Sequence, residues 1–212
     1  MADFEIEASF FAKGVRSIAG VDEVGRGALC GPVVAAAVVL PLSWITAASP
    51  RPGWLSSVDD SKLLTPRRRR ALAASLLATA AAVGFGACSN LEVDRMNIHR
   101  ASLEAMRRAV EALPVPPEAV LVDGFGLRGY AGRQLAVLQG DRKSLSIAAA
   151  SILAKVLRDQ MMDRFALLFP GYGLERNKGY ATPGHIRALA ERGPSAFHRT
   201  SFRLQFNAKL FP

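Results

Sequence analysis

The chain has 212 residues, half of them hydrophobic, with 27 Lys and Arg against 18 Asp and Glu, a formal charge of +9. That length fits one sizeable core and is short for two, and the apolar share excludes a disordered chain. A pI near 10.2 favours a polyanionic partner such as a nucleic acid.

The N-terminus, MADFEIEASF, carries acids where a signal peptide would carry bases. Ile18 to Asp22 reads as a strand and Val33 to Leu40 as a second, with glycines between them that predict a bent hairpin connection. The two cysteines, Cys30 and Cys88, read as reduced core thiols of a cytoplasmic protein. Thr46 to Ser57 (TAASPRPGWLSS) reads as a loop. Thr65-Pro66 supplies an N-cap and a first-turn proline, so a helix is predicted to about Ala82. Its Ala-rich run, Ala71 to Val83, falls short of the roughly 20 apolar residues of a membrane span, so no membrane partner is expected.

Val83 to Ser89 is a third predicted strand. Ile98 to Leu113 is an amphipathic helix, with Leu103, Met106, Val110 and Leu113 at helical spacing, closed by Pro114. Ala119 to Asp123 and Leu135 to Leu138 complete five strands. A long helix over Leu145 to Leu168 stops before Pro170-Gly171, and Thr182-Pro183 opens a short one to about Arg192. Early hairpin pairing followed by helix–strand alternation predicts an α/β fold with a mixed sheet, the last two strands parallel to the first.

Carboxylates recur at strand ends: Asp22-Glu23, then Asp123, then Asp141. Any one could be a turn residue or a helix cap. Two adjacent acids leaving an apolar strand are not explained that way. Two carboxylates about 4 Å apart repel by roughly 4 kcal/mol at an intermediate dielectric. A divalent cation with oxygen ligands relieves that. His99, His185 and His198 are scattered, with no pair at zinc-ligand spacing. Oxygen-only ligation in a basic protein points to metal-assisted phosphoryl chemistry on a nucleic acid.

Asp22-Glu23-Val24-Gly25-Arg26-Gly27, followed by Gly31-Pro32-Val33, resembles the opening signature of type 2 ribonucleases H. The resemblance continues through Asp60-Ser61-Lys62-Leu63, Met96-Asn97-Ile98, Val122-Asp123-Gly124 and Gly140-Asp141. It ends with Ala149 to Lys155, Arg158-Asp159, Lys178-Gly179-Tyr180, Thr182, His198-Arg199 and Ser201-Phe202. With no counterpart of the extra N-terminal domain of type 3 enzymes, type 2 is the expectation.

The resemblance implies a ribonuclease H-like fold, a mixed five-stranded sheet flanked by helices with a helical C-terminal extension. The expected layout is one catalytic domain over 1–212, its core at about 17–170 and a substrate-binding extension at about 171–212. The implied activity is endonucleolytic cleavage of RNA paired with DNA, including single ribonucleotides in a DNA duplex. Asp22, Glu23, Asp123 and Asp141 would be the catalytic acids, holding two Mg²⁺ or Mn²⁺ ions with Asp22 shared between them. Gly25, Arg26 and Gly27 resemble the ribose-sensing loop, and Tyr180 the residue that recognises the ribonucleotide–DNA junction.

Lys62, in a loop before a helix, reads as a phosphate contact. Arg67 to Arg70 either meet the duplex backbone or face water. Lys155 and Asp159 fit a structural ion pair, and His198 and Arg199 are expected on the phosphate side. The tail, Leu204 to Pro212, faintly resembles peptides that dock on replication sliding clamps; a hydrophobic tail packing on the body is the other reading. A monomer is expected. The rivals are another nuclease on the same fold and a non-catalytic nucleic-acid-binding protein, which would leave four strand-end acids unexplained.

Overall fold

The computed structural model describes residues 2–58 and 64–202. Its sheet has the order β3-β2-β1-β4-β5, formed by β1 (Ile18–Val24), β2 (Val33–Val39), β3 (Ala82–Cys88), β4 (Ala119–Asp123) and β5 (Gln134–Val137). The pairs β1–β2 and β2–β3 are antiparallel, whereas β1–β4 and β4–β5 are parallel. This is the predicted mixed sheet, with β1 at its centre.

The helices are α1 (Glu5–Phe11), α2 (Leu42–Ile45), α3 (Pro66–Thr79), α4 (Asn90–Met96), α5 (Ile98–Glu111), α6 (Leu145–Leu168), α7 (Leu174–Asn177) and α8 (Pro183–Arg192). α3 and α6 cover one face of the sheet through Leu72, Leu76, Ile152 and Leu153. α5 covers the other through Ala105, Met106, Ala109 and Val110. β2 is buried along its whole length, which is why it reads as a continuous apolar run rather than an alternating one.

α6 begins directly on β1. A Cβ at Gly20 would lie 2.2 Å from the Ser146 carbonyl carbon, so glycine is what lets helix and strand meet.

Several boundaries differ from expectation. β1 runs two residues further, to Val24, because Glu23 and Val24 still pair with Ala35 and Val34. α3 ends at Thr79 rather than near Ala82, because Ala82 is drawn into the sheet opposite Val39. Within Thr46–Ser57, residues Gly53–Ser57 form a 3₁₀ turn, and Trp54 packs edge-on to Trp44 of α2 at 5.9 Å.

α1 and α4 were not anticipated. α4 carries a complete capping box, Ser89 with Glu92, a signature plain in the sequence SNLE. In the sequence the acids of α1 speak only against a signal peptide. Glu7 among them is fully buried and accepts hydrogen bonds from Ser144 Oγ at 2.6 Å and the Ser146 N–H at 3.0 Å, fastening α1 to the start of α6.

Candidate active site

Parallel pairing of β1 with β4 sets Val21 opposite Val122, so Asp22 and Asp123 leave the sheet side by side. Adjacent strand residues point to opposite faces. Asp22 faces α6, whose Ser151 hydrogen-bonds its carboxylate. Asp22 Oδ1 also accepts the Glu23 N–H at 2.7 Å, which turns the carboxylate towards the strand end. Glu23 lies at that end, drawn over by Arg26 Nη1 at 3.1 Å from its Oε1. One carboxylate oxygen from each of Asp22, Glu23 and Asp123 then lies within 4.8 Å of the others.

Asp123 Oδ1 accepts the Gly140 N–H at 2.6 Å, tying β4 to the 3₁₀ turn Gly140–Arg142. That turn carries Asp141, which is buried and lines the same cleft, outside the three-acid cluster. The cleft encloses about 620 Å³ and is also lined by Gly25, Arg26, Gly27 and Tyr180. Four predicted acids and four of the five predicted nucleic-acid contacts are therefore in one place. Lys62 lies outside the described residues.

Burial, then the charges of Glu23 and Asp123, push the Asp22 carboxyl well above its ordinary value. Burial also raises Glu23, and Arg26 opposes that rise. Glu23 Oε2 is buried with no hydrogen-bond partner. A hard divalent cation fits this arrangement: the donors are all oxygen, one is orphaned, and the crowded charges lack a full counter-charge.

The loop from Gly25 to Pro32 hangs on two buried arginines. Arg158 of α6 donates to Pro32 O at 2.9 Å, Lys178 O at 2.9 Å and Cys30 O at 3.2 Å. Arg199 donates to Gly31 O at 2.9 and 3.0 Å and to Arg26 O at 2.9 Å. Arg199 and His198 thus lie beneath the loop rather than on a phosphate-facing surface, because their side chains are spent on buried backbone and ring partners. Burial lowers the Arg199 pKa to about 10. Gly25 has φ +97°, and a Cβ there would lie 2.2 Å from Arg158 Nε.

Other cleft residues had weaker sequence signals. Arg69 is the one member of the Arg67–Arg70 run that is buried; it donates to Leu64 O at 2.8 Å and lies 3.5 Å from Asp159. Lys155 forms the expected pair with Asp159 at 2.6 Å and also lies 5.5 Å from the Tyr180 ring centroid. Ser151 follows a run of alanines and enters the sequence reading only as part of the resemblance, with no role of its own. The expectation of scattered histidines fails for two of the three. Cys30, His185 and His198 meet in the core, with ligand atoms within 4.8 Å, because proximity in the fold does not need spacing in the chain.

A mixed sheet with carboxylates at the ends of its central parallel strands defines a metal-dependent nuclease of the ribonuclease H-like class. The ribonuclease HII family profile matches residues 19–207. Ribonuclease HII of Geobacter sulfurreducens is 49% identical over 201 residues, covering 95% of this chain and 88% of that protein. Ribonuclease HII of Archaeoglobus fulgidus, in its complex with PCNA, superposes with a TM-score of 0.71 at 27% identity, over 89% of this chain and 96% of that one. Ribonuclease HIII of Bst, in complex with Mn²⁺, shares the fold with a TM-score of 0.64 at 22% identity, over 88% of this chain and 67% of that one. The chain belongs to the ribonuclease HII family, a family of metal-dependent endoribonucleases.

Proposed function

We propose that the protein cleaves the RNA strand of RNA/DNA hybrids and cuts duplex DNA on the 5′ side of a single embedded ribonucleotide. The products are a 3′-hydroxyl and a 5′-phosphate. One observation carries this reading: the acid cluster shares its cleft with Gly25-Arg26-Gly27 and Tyr180, so a phosphodiester and its neighbouring ribose can be engaged together.

Asp22, Glu23, Asp123 and Asp141 would hold two Mg²⁺ or Mn²⁺ ions; the Mn²⁺ complex of the related fold supports divalent-metal binding. A divalent cation held there would supply Lewis-acid chemistry, lowering the pKa of a water and offsetting charge on the departing 3′ oxygen. The chain's own residues hold the phosphate still, which in-line attack requires. Arg26, Arg69 and Lys155 give the cleft a cationic wall. Among the described residues, the N–H groups of Arg26 and Gly27 have no backbone acceptor, which leaves them for a sugar or phosphate oxygen. Tyr180 offers a ring to stack and a hydroxyl to meet the 2′ oxygen, the group that separates RNA from DNA.

The chain acts as a monomer with one catalytic domain. The tail from Leu204 lies outside the described residues. The complex of the Archaeoglobus fulgidus relative with PCNA supports a clamp contact of the chain, and a pull-down that depends on Leu210 and Phe211 tests whether the tail makes it.

The deciding experiment compares a labelled duplex carrying one ribonucleotide, an all-DNA duplex and an RNA/DNA hybrid, each with Mg²⁺, Mn²⁺ or chelator. Metal-dependent cutting 5′ of the ribonucleotide, absent from all-DNA, is the expected result. Cutting of all-DNA would move the assignment to another nuclease of this fold. Binding without cutting under either metal would leave a nucleic-acid-binding protein.

A further inference from the structure

Behind Tyr180 lies a buried chain of hydrogen bonds that the acid chemistry does not use. The turn carrying Tyr180 is strained: Lys178 has φ +50° and Gly179 φ +84°, two consecutive left-handed residues. A Cβ at Gly179 would lie 2.9 Å from both Cys30 O and Cys30 Sγ. Such a turn persists only where its surroundings hold it.

The holding groups can be ordered by proton. The Ser195 N–H donates to His198 Nδ1 at 3.0 Å, and Ser195 Oγ lies 2.8 Å from the same nitrogen. Because Nδ1 accepts the Ser195 N–H, it carries no hydrogen to give the hydroxyl, which therefore donates to it while accepting the Phe197 N–H at 3.3 Å. Nδ1 of His198 is therefore the bare nitrogen, and Nε2 carries the hydrogen. That Nε2–H donates to His185 Nε2 at 3.1 Å. His185 then carries its hydrogen on Nδ1, which donates to the Tyr180 carbonyl at 3.0 Å. Both imidazoles are buried, and the Tyr172 ring packs 4.9 Å from His198.

We propose that His185 and His198 are positioning residues for Tyr180: paired imidazoles, with one proton order imposed from Ser195, fix the Tyr180 main chain so that its ring stands at the acid cleft. The inference rests on the reading of Tyr180 as the ribonucleotide sensor. It also accounts for the meeting of Cys30, His185 and His198 without a bound metal. Ligation of His198 through Nε2 would remove the hydrogen that joins the two rings and oblige Nδ1 to carry one against the Ser195 N–H.

His185→Leu removes both ring bonds, whereas a His185→Gln amide can accept from His198 and donate to Tyr180. Cleavage at a single ribonucleotide should fall about tenfold or more in kcat for His185→Leu, with KM little changed, and recover in His185→Gln. In a Tyr180→Ala background, His185→Leu should add little. Nitrogen-15 NMR of the wild-type protein should show His185 protonated on Nδ1 and His198 on Nε2. Losses that add in the double variant, the opposite tautomers, or both rings shifting on titration with Zn²⁺ would each overturn the proposal. If Tyr180→Ala alone leaves cleavage intact, the sensor reading fails instead, and the NMR result still decides the proton order. Should His185→Leu not fold, His185→Gln and the tautomers carry the test.

Discussion

Asp22 is held against its own charge. Its carboxyl is buried beside Glu23 and Asp123, so the fold favours its protonated form. An acid raised in the fold stabilises below its unfolded pKa, and that contribution is lost as pH rises through the folded value. Metal-free protein should therefore lose thermal stability through this site as pH climbs from about 4. Mg²⁺ or Mn²⁺ competes with the proton, so the rise in Tm on adding metal should grow with pH. A metal-induced shift independent of pH would argue against ligation by Asp22. Asp123→Asn removes one of the crowded charges. It should keep or raise Tm while cutting activity by roughly a hundredfold or more, the scale of charge stabilisation by a bound cation. Wild-type turnover in that variant would remove Asp123 from the reaction. These acids were visible in the sequence because two carboxylates after IAGV have no packing explanation. Ser151, which steadies Asp22, and Arg158 entered only as parts of the resemblance, and Arg199 was expected on the phosphate side, because their partners lie on other elements and leave no local pattern in the chain.

At the scale of the element, what the residues showed was type and order. Strands with continuous apolar runs and the helices opening on Thr65-Pro66 and Thr182-Pro183 were readable, whereas α4 was missed despite its capping box. Boundaries were not, because pairing partners set them: Ala35 and Val34 extend β1 past its acids, and Val39 recruits Ala82 from the end of α3. α1 escaped because its buried Glu7 has the composition of a solvated turn. Gly25 shows how an element meets the site. With φ +97° and Arg158 Nε 2.2 Å from where its Cβ would lie, Gly25→Ala both strains the backbone and displaces the arginine. The expected cost is about 1–3 kcal/mol for the backbone alone, read as a lower Tm. Ribonucleotide cleavage should fall further than stability explains; equal losses in all assays would mean that the loop has no part in substrate choice.

Across the whole molecule, two histidines 13 residues apart in the chain meet in the interior and join the first turn of α8 to the segment that follows the helix. Burial and the neighbouring His185 lower the His198 pKa from 6.5 to about 4. A base lowered in the fold costs stability as pH falls, since the unfolded chain takes up the proton first. Between pH 6.5 and about 4 the protein should lose at most about 3 kcal/mol through this group, the scale of 1.36 kcal/mol per pKa unit. Urea unfolding at pH 7 and pH 5 measures it, and a His198→Gln variant should flatten that slope. The sign is opposite to that of Asp22 and the two pH ranges overlap, so the wild-type curve carries their difference and the His198→Gln variant separates them.

The hairpin connection between β1 and β2 has one more property. Loops at active sites commonly open and close. In this one, the Leu29 N–H bonds Gly179 O at 2.7 Å, the Gly31 N–H bonds Phe197 O at 3.0 Å, and two guanidinium groups grip the carbonyls between. Mechanically it belongs to the core. In deuterated solvent the amides of Leu29 and Gly31 should exchange on the slow timescale of β1, through global unfolding alone. The substrate would then conform to a rigid template, and discrimination would lie in how far a nucleic acid duplex can be deformed to fit it.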